Sequence, residues 1–296
     1  MSIEITPLHP LFVGEVAGAD LRRALTAEEV RDIEAGMDRH AVLVFRDQMI
    51  DDEQQVAFTE NFGAIEIAAG NQLKSQNESR RISVKLADIS NLDGQNRMLA
   101  RDDKRRMFNL GNQLWHSDSS FRAKPAKYSL LSARVVPPAG GNTEFADMRA
   151  AYDALDEATK AEVEDLVCEH SLLYSRGTLG FTDFTDDERQ MFRPVRQRLV
   201  RTHPVTGRKS LFLSSHIGRI VGWPVPEGMA FIRDLIEHAT QRQFVHAHVW
   251  RVGDLVMWDN RQTMHRARRY AETTHVRDMR RTTVAGEVHT AEQVAA

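Results

Sequence analysis

From residue 127 onward the chain breaks into short apolar runs with turn residues between them: KYSLLSARVV at 127–136, a PPAGG turn, NTEFADM, then LVRTHP, SLFLS, VHAHVW, DLVMWDN at 254–260 and VRDMRRTTVAGE at 276–287. Runs of this length and composition predict strands, so the second half reads as mostly sheet, with a helical pair over roughly 147–169. The front half differs. TAEEVRDIEAGMDR at 26–39 opens with Thr26 and Glu29 in capping-box spacing and places Val30, Ile33 and Met37 at helical intervals, which predicts an amphipathic helix. AVLVF at 41–45 follows as a strand, and DDEQQVAFTENFG from 51 as a second helix stopped by Gly63. Helices ahead of short antiparallel strands fit an α+β fold: a double-stranded β-helix, or jelly roll, with peripheral helices.

Size and charge bound the rest. With 296 residues, 42% of them hydrophobic, the chain can bury a substantial core, and no repeat or linker divides it, so a single domain over 1–296 is expected. One stretch departs from this pattern: 64–111 is rich in Asn, Gln, Gly and Arg, with SVKLADI its one plausible strand, and is expected to be an active-site lid. Lys and Arg number 39 against 42 Asp and Glu, a net charge of −3, which gives no overall attraction to nucleic acid or membrane. The opening MSIEITPLHPLFVGEV lacks the basic head and apolar stretch of a signal peptide, and no window has a membrane span's length of apolar residues, so a cytoplasmic protein is expected. Cys168 is the single cysteine, which excludes an intrachain disulfide and a cysteine zinc cluster. Any metal must be held by His, Asp or Glu.

WHSDSS at 115–120 offers such a pair. On a strand, His116 and Asp118 point to one face and can reach one ion. His265, in WDNRQTMH, is the candidate third ligand, and two histidines with one carboxylate leave open the positions that non-haem Fe(II) oxygenases use. With 12 histidines in the chain, an isolated His-x-Asp pair is more often a hydrogen-bonded strand end than a ligand set. His246 and His248 share that spacing, but no carboxylate follows them in the run, and they read as structural or pocket-lining beside Phe244 and Trp250. In VRDMRRTT, Arg277 and Arg281 share a strand face about 13 Å apart, at roughly 3.3 Å per residue, which suits two separate anions, each met by one planar guanidinium. Arg280 faces the other way, either solvated or paired with an acid. The competing reading of the cluster is a basic strand edge that discourages aggregation.

Taken together, His116-x-Asp118, Thr143, His265 and Arg277 in this order and spacing resemble the Fe(II)/2-oxoglutarate-dependent dioxygenases of the taurine dioxygenase and 2,4-dichlorophenoxyacetate dioxygenase group. The resemblance runs from VGEVAGADLR at 13–22 through NLGNQLWHSDSSF, GGNTEFADMRAAYDAL and HPVTGRKSL to the final RRTTVAG, and is closest to the phenoxyacetate-cleaving branch. It implies that His116, Asp118 and His265 ligate Fe(II) and form the catalytic centre. By the same resemblance, Thr143 and Arg277 hold the distal carboxylate of 2-oxoglutarate, Arg281 receives the acidic group of the substrate, and Asn112 and His216 line the substrate chamber. Trp258 and Asn260 are expected to position His265, with Trp258 equally readable as simple core, and Gly140 and Gly141 to permit the turn before Thr143.

The reaction implied consumes O2 and 2-oxoglutarate, releases succinate and CO2, and hydroxylates the carbon beside the ether oxygen of an aryloxyacetate such as 2,4-dichlorophenoxyacetate. The resulting hemiacetal collapses to a phenol and glyoxylate. A taurine or alkylsulfonate dioxygenase releasing sulfite is the runner-up, because Arg281 suits a sulfonate as well. A zinc-dependent hydrolase uses a similar ligand set, and a non-enzymatic jelly-roll binding module is the third alternative. The expected partner is a small aryloxy acid; relatives also imply a homo-oligomer.

Overall fold

The computed structural model describes residues 3–69 and 80–293. A helix α1 (Ala27–His40) begins where the capping box predicts, with Thr26 accepting from the Glu29 amide and the Glu29 carboxylate accepting from the Thr26 amide. It buries Ile33 and Met37 and leaves Val30 half-buried. The second helix, α2 (Asp52–Glu60), is capped by Asp51 and ends before Gly63, which sits in the following turn at a φ of 137°.

The main sheet has seven strands in the spatial order β1 (Glu4–Pro7), β2 (Gly14–Ala17), β3 (Val42–Phe45), β13 (Leu255–Asp259), β5 (Tyr128–Val135), β15 (Asp278–Thr283), β4 (Ala87–Asp88). Every pair in it is antiparallel except β2 with β3. A smaller sheet of β12 (Val245–His248), β6 (Thr143–Asp147) and β14 (Thr263–Ala267) packs against it. Two outer groups complete the β structure: β11 (Ile217–Ile220) with β7 (Val167–His170) and β8 (Val195–Arg198), and β10 (Lys209–Leu211) with β9 (Val200–Thr202).

The apolar runs explain why the main sheet is central. Side chains alternate between faces, and in β3 one set, Val42 and Val44, packs inward with Phe145 of β6, while Leu43 and Phe45 pack outward with Ile33, Met37 and Phe58 of the helices. β13 divides the same way, with Val256 and Trp258 inward and Leu255 and Met257 outward. A strand buried on both faces reads as a continuous apolar run, which is what AVLVF and LVMW are. Each such side chain contributes roughly 1.5–3 kcal/mol when fully buried, so the middle of this sheet is a firm base for whatever its inner face carries.

Several expectations need correction. The helical pair is α4 (Met148–Asp153) and α5 (Glu157–Val163), preceded in the chain by the short α3 (Lys104–Asn109), and it stops earlier than expected: 167–170 is the strand β7. The second half is also less uniformly strand, since it holds α6 (Leu172–Gly177), α7 (Asp186–Met191) and the 15-residue α8 (Val225–Ala239). Pro226 and Gly228 make the start of α8 look like a turn, yet proline is at home in a helix's first turn, and Ile232, Leu235 and Ala239 then form its buried stripe. Of SVKLADI only Ala87 and Asp88 pair as strand, and the rest of 80–111 is turns, α3 and the start of a 3₁₀ turn over Leu110–Gln113; part of the expected lid, residues 70–79, lies outside the described residues. Arg277 stands just before β15, whose register shifts between Asp278 and Met279, so the regular strand spacing assumed for Arg277 and Arg281 does not apply.

Candidate active site

His265 lies on β14, and the chain leaving the 3₁₀ turn runs beside it so that His116 and His265 exchange backbone hydrogen bonds, at 3.0 and 2.8 Å. The two imidazoles therefore stand side by side, ring centroids 4.2 Å apart. Asp118 completes the group: its carboxylate oxygens are 3.7 Å from the Nε2 of each histidine, and one donor atom from each of the three side chains lies within 4.8 Å of the others. All three are buried, and among the described residues this is the one such cluster of His, Cys, Asp and Glu able to hold an ion.

Neighbours fix the donor atoms. A carbonyl only accepts, so the 2.7 Å contact of His116 Nδ1 with the Leu114 carbonyl oxygen puts the proton on Nδ1 and turns the Nε2 lone pair toward the cluster. Burial holds His116 below its ordinary pKa and His265, with His116 beside it, well below, so both rings are neutral. His265 is walled by Trp258, 4.7 Å between centroids, and Phe145. For Asp118, burial alone favours the protonated form, but the Arg281 guanidinium beside it, helped by the Ser129 hydrogen bond, outweighs it and brings the pKa down to about 2. Its Oδ1 accepts from Arg281 Nη1 at 2.6 Å and its Oδ2 from Ser129 Oγ at 2.7 Å. Asn260, expected to serve His265, instead serves Asp118: its Oδ1 accepts the Asp118 amide and the Trp258 indole N–H, and its Nδ2 donates to Ser129.

Two cavities of about 80 and 30 Å³ adjoin the triad and share Ile89, Asn112, His116 and Arg281 as walls. The smaller adds Thr143, His265 and Arg277. Thr143 Oγ1 accepts from the Trp250 indole at 3.0 Å; because the indole only donates, the Thr143 hydroxyl proton is left to donate elsewhere. Arg277 is buried, makes only long contacts of 3.4 Å to the Ile89 and Gly141 carbonyls, and has no carboxylate partner among the described residues; burial pushes its guanidinium down to about 10. Gly140 and Gly141 turn at φ 74° and 70°, and a Cβ on Gly141 would stand 3.4 Å from Arg277 Nε, so the turn brings the backbone close to the guanidinium.

The larger cavity adds Asp118, Phe121, Arg176 and His216. His216 Nδ1 contacts Ser175 Oγ at 2.7 Å, with its ring edge-on to Phe121. Arg280 turns away, as expected, to Asp52 at 2.6 Å. His248 bonds Asp254 and packs on Trp250, while His246 meets His9 edge-on, so neither joins the triad. A roomier cavity of about 540 Å³, lined among others by Tyr128, Arg201 and Arg261, shares no residue with the triad, so volume alone does not mark the chemistry here.

Sequence reasoning missed Ser129, Trp250 as the partner of Thr143, and Arg176. None carries a spacing signal: each reaches the site through tertiary contact, and Arg176 sits on a six-residue helix with no pattern of its own.

Comparison with known proteins adds the final observation. Residues 4–283 match the family model described as taurine catabolism dioxygenase TauD, TfdA family. The chain is 51% identical to an alpha-ketoglutarate-dependent 2,4-dichlorophenoxyacetate dioxygenase of Cupriavidus pinatubonensis, over 96% of this chain and 98% of that one. It is 38% identical to an (S)-phenoxypropionate/alpha-ketoglutarate-dioxygenase of Sphingobium herbicidovorans, over 97% and 96%. Among solved structures, AAD-2 in complex with Mn(II) and N-oxalylglycine is 61% identical and superposes with a TM-score of 0.91, covering 99% of this chain and all (100%) of that one.

Proposed function

This chain belongs to the taurine catabolism dioxygenase TauD, TfdA family, and from that premise we propose that it is an Fe(II)- and 2-oxoglutarate-dependent dioxygenase acting on aryloxyacetates such as 2,4-dichlorophenoxyacetate. The observation that carries the reading is the neutral His116–His265 pair closed by the ionised Asp118, beside an Arg277 that has no carboxylate partner among the described residues. Two imidazole nitrogens and one carboxylate suit Fe(II) and leave room for further ligands. Family membership sets the hydrolase and binding-module alternatives aside.

In this reading His116, Asp118 and His265 hold the iron, which when bound supplies the oxidising chemistry with O2 and 2-oxoglutarate. The remaining steps belong to the chain. Thr143 donates its free hydroxyl proton and Arg277 its guanidinium to the distal carboxylate of 2-oxoglutarate. Arg281 spends Nη1 on Asp118 and has a buried Nε without a partner among the described residues, so its other edge is available to the acid of the substrate. An acid anchored there directs the adjacent carbon, between carboxylate and ether oxygen, toward the triad, and placement of this kind supplies much of an enzyme's advantage. Asn112 and His216 line the same chamber. Hydroxylation of that carbon gives a hemiacetal that collapses to phenol and glyoxylate.

We further assign the chain to one domain whose 64–111 segment serves as a lid over the chamber, supported by Ala87, Ile89 and Phe108 of that segment, which line it. A cytoplasmic homo-oligomer completes the proposal. Among the described residues no helix is long and apolar enough to cross a membrane; light scattering on the purified protein tests the assembly. The test of function is anaerobic reconstitution with Fe(II) and 2-oxoglutarate, followed by air and a panel of aryloxy acids and alkylsulfonates. Aryloxyacetates should give the fastest succinate release, with phenol and glyoxylate in equal amounts; sulfite from taurine at a higher rate would reassign the substrate, and no oxygen uptake with any acid would overturn the reading.

A further inference from the structure

Five charged side chains line the two cavities beside the triad, and their pairing is unequal. Asp88 is taken by Arg81 at 2.9 Å, and Asp118 by Arg281 at 2.6 Å. Arg277 faces the smaller cavity, which the proposed 2-oxoglutarate site occupies. That leaves Arg176. It is 5% exposed, deep in the larger cavity, and forms no ion pair with any carboxylate among the described residues. Removing a lone cation from water is costly unless something offsets it.

The fold holds this guanidinium in one place. Its carbon lies 4.6 Å from the centroid of the Phe108 ring. It packs so tightly over Gly111 that a Cβ there would stand 2.1 Å from Nη1 and 2.2 Å from Cζ, so no other residue fits at 111 while the arginine keeps this pose. Nη1 donates to Ser175 Oγ at 3.3 Å, and Nε is buried with no partner. Nη2 has no hydrogen-bond partner among the described residues either, so the Nε–Nη2 edge, the one that accepts a carboxylate side-on, is unspent.

We propose that Arg176 is a second substrate-binding arginine, which together with Arg281 receives the anionic group of the substrate and makes the chamber select acids over neutral aryl ethers. The inference rests on the dioxygenase reading for the identity of the acid. Arg281 alone already has Asp118 as a counter-charge, so Arg176 supplies the positive charge that only a ligand can match. Burial, with Arg281 adding to it, pushes the Arg176 guanidinium down to about 10, in keeping with a cation awaiting an anion.

The test is equilibrium binding by calorimetry on protein loaded with Mn(II) and N-oxalylglycine, titrated with (2,4-dichlorophenoxy)acetate and with its uncharged primary amide. Arg176→Gln should weaken the acid by at least about tenfold, leave the amide within about twofold, and leave binding of Mn(II) and N-oxalylglycine unchanged. Equal losses for acid and amide would make Arg176 a packing residue and overturn the proposal, as would no loss for the acid. If Arg176→Gln does not fold, Arg176→Lys carries the same comparison: a cation without the planar fork should retain the preference for acid over amide but bind the acid more weakly than the native protein. Native protein that binds neither ligand would sink the functional reading itself, and this inference with it, before any variant is made.

Discussion

Asp118 shows how much one side chain at this site depends on its surroundings. Its two oxygens are already met by Arg281 and Ser129, and its backbone by Asn260, so its direction is fixed before any ion arrives. Thr143 depends in the same way on Trp250. Replacing Trp250 with Phe removes the indole donor and frees the Thr143 hydroxyl to turn; one neutral hydrogen bond is worth about 1 kcal/mol, so KM for 2-oxoglutarate should rise by roughly three- to tenfold while KM for the aryloxy acid stays put. Steady-state kinetics with each substrate varied in turn checks this. His170 gives a prediction of another kind. It is fully buried on Phe212, neither ring nitrogen has a hydrogen-bond partner among the described residues, and burial, with Arg201 adding, brings its pKa down to about 3. The unfolded chain protonates this ring below about 6.5, the folded one only near 3, so the unfolded state binds more protons in between and stability falls as the pH drops through that window. His170→Phe removes this penalty. Urea unfolding should show the variant losing less stability than the native protein between neutral pH and pH 4, by roughly 2–3 kcal/mol.

At the scale of elements, the sequence spoke most clearly where a local rule acts alone. The capping box at Thr26 and Glu29 located the start of α1 to the residue, and the two-sided apolar runs of β3 and β13 announced the middle of the sheet. It was least clear where tertiary contact overrides local preference. Residues 167–170 look like the tail of a helix yet pair with β8 and β11, and α8 hides behind a proline and a glycine in its first turn. The 64–111 segment was recognisable by composition, but not the way it is fastened. Arg81 joins Asp88 of β4 to Asp278 of β15, at 2.9 and 2.7 Å, and the amides of Ile89 and Asn91 donate to Met279 and Arg277. The stretch that brings Ala87 and Ile89 to the chamber is thus tied to the strand that carries Arg281. Arg81→Met leaves two carboxylates without their shared cation and should speed hydrogen exchange at Ile89 and Asn91 by at least about tenfold, with a higher KM for the aryloxy acid and, because Ile89 and Asn91 also bond Arg277, a higher KM for 2-oxoglutarate. Unaltered exchange at those amides would show that the segment is held by other contacts.

Over the whole molecule, a net charge of −3 conceals a chamber with the opposite balance. Arg277, Arg281 and Arg176 converge on cavities whose two carboxylates, Asp88 and Asp118, are already paired with Arg81 and Arg281, and Arg176 and Arg281 come from parts of the chain more than 100 residues apart. This explains why Arg277 and Arg281, close in sequence, were legible as a pair whereas Arg176 was not. The same imbalance makes the ligand-free protein less stable than it can be. Anything that binds only the folded state stabilises it by mass action, so Mn(II) with N-oxalylglycine should raise the melting temperature, and adding an aryloxyacetate should raise it again. A chelator should reverse both steps; a melting curve insensitive to all three additions would contradict the picture of a chamber built around absent charges.

The account stands on the convergence of His116, Asp118 and His265, and metal stoichiometry tests it most directly. Native protein equilibrated anaerobically with Fe(II) and passed through a desalting column should retain one ion per chain, while His116→Ala, Asp118→Ala and His265→Ala should each retain almost none and still show a cooperative unfolding transition. Full retention of iron by all three folded variants would place the metal somewhere other than the site described, and the mechanism would fall with it.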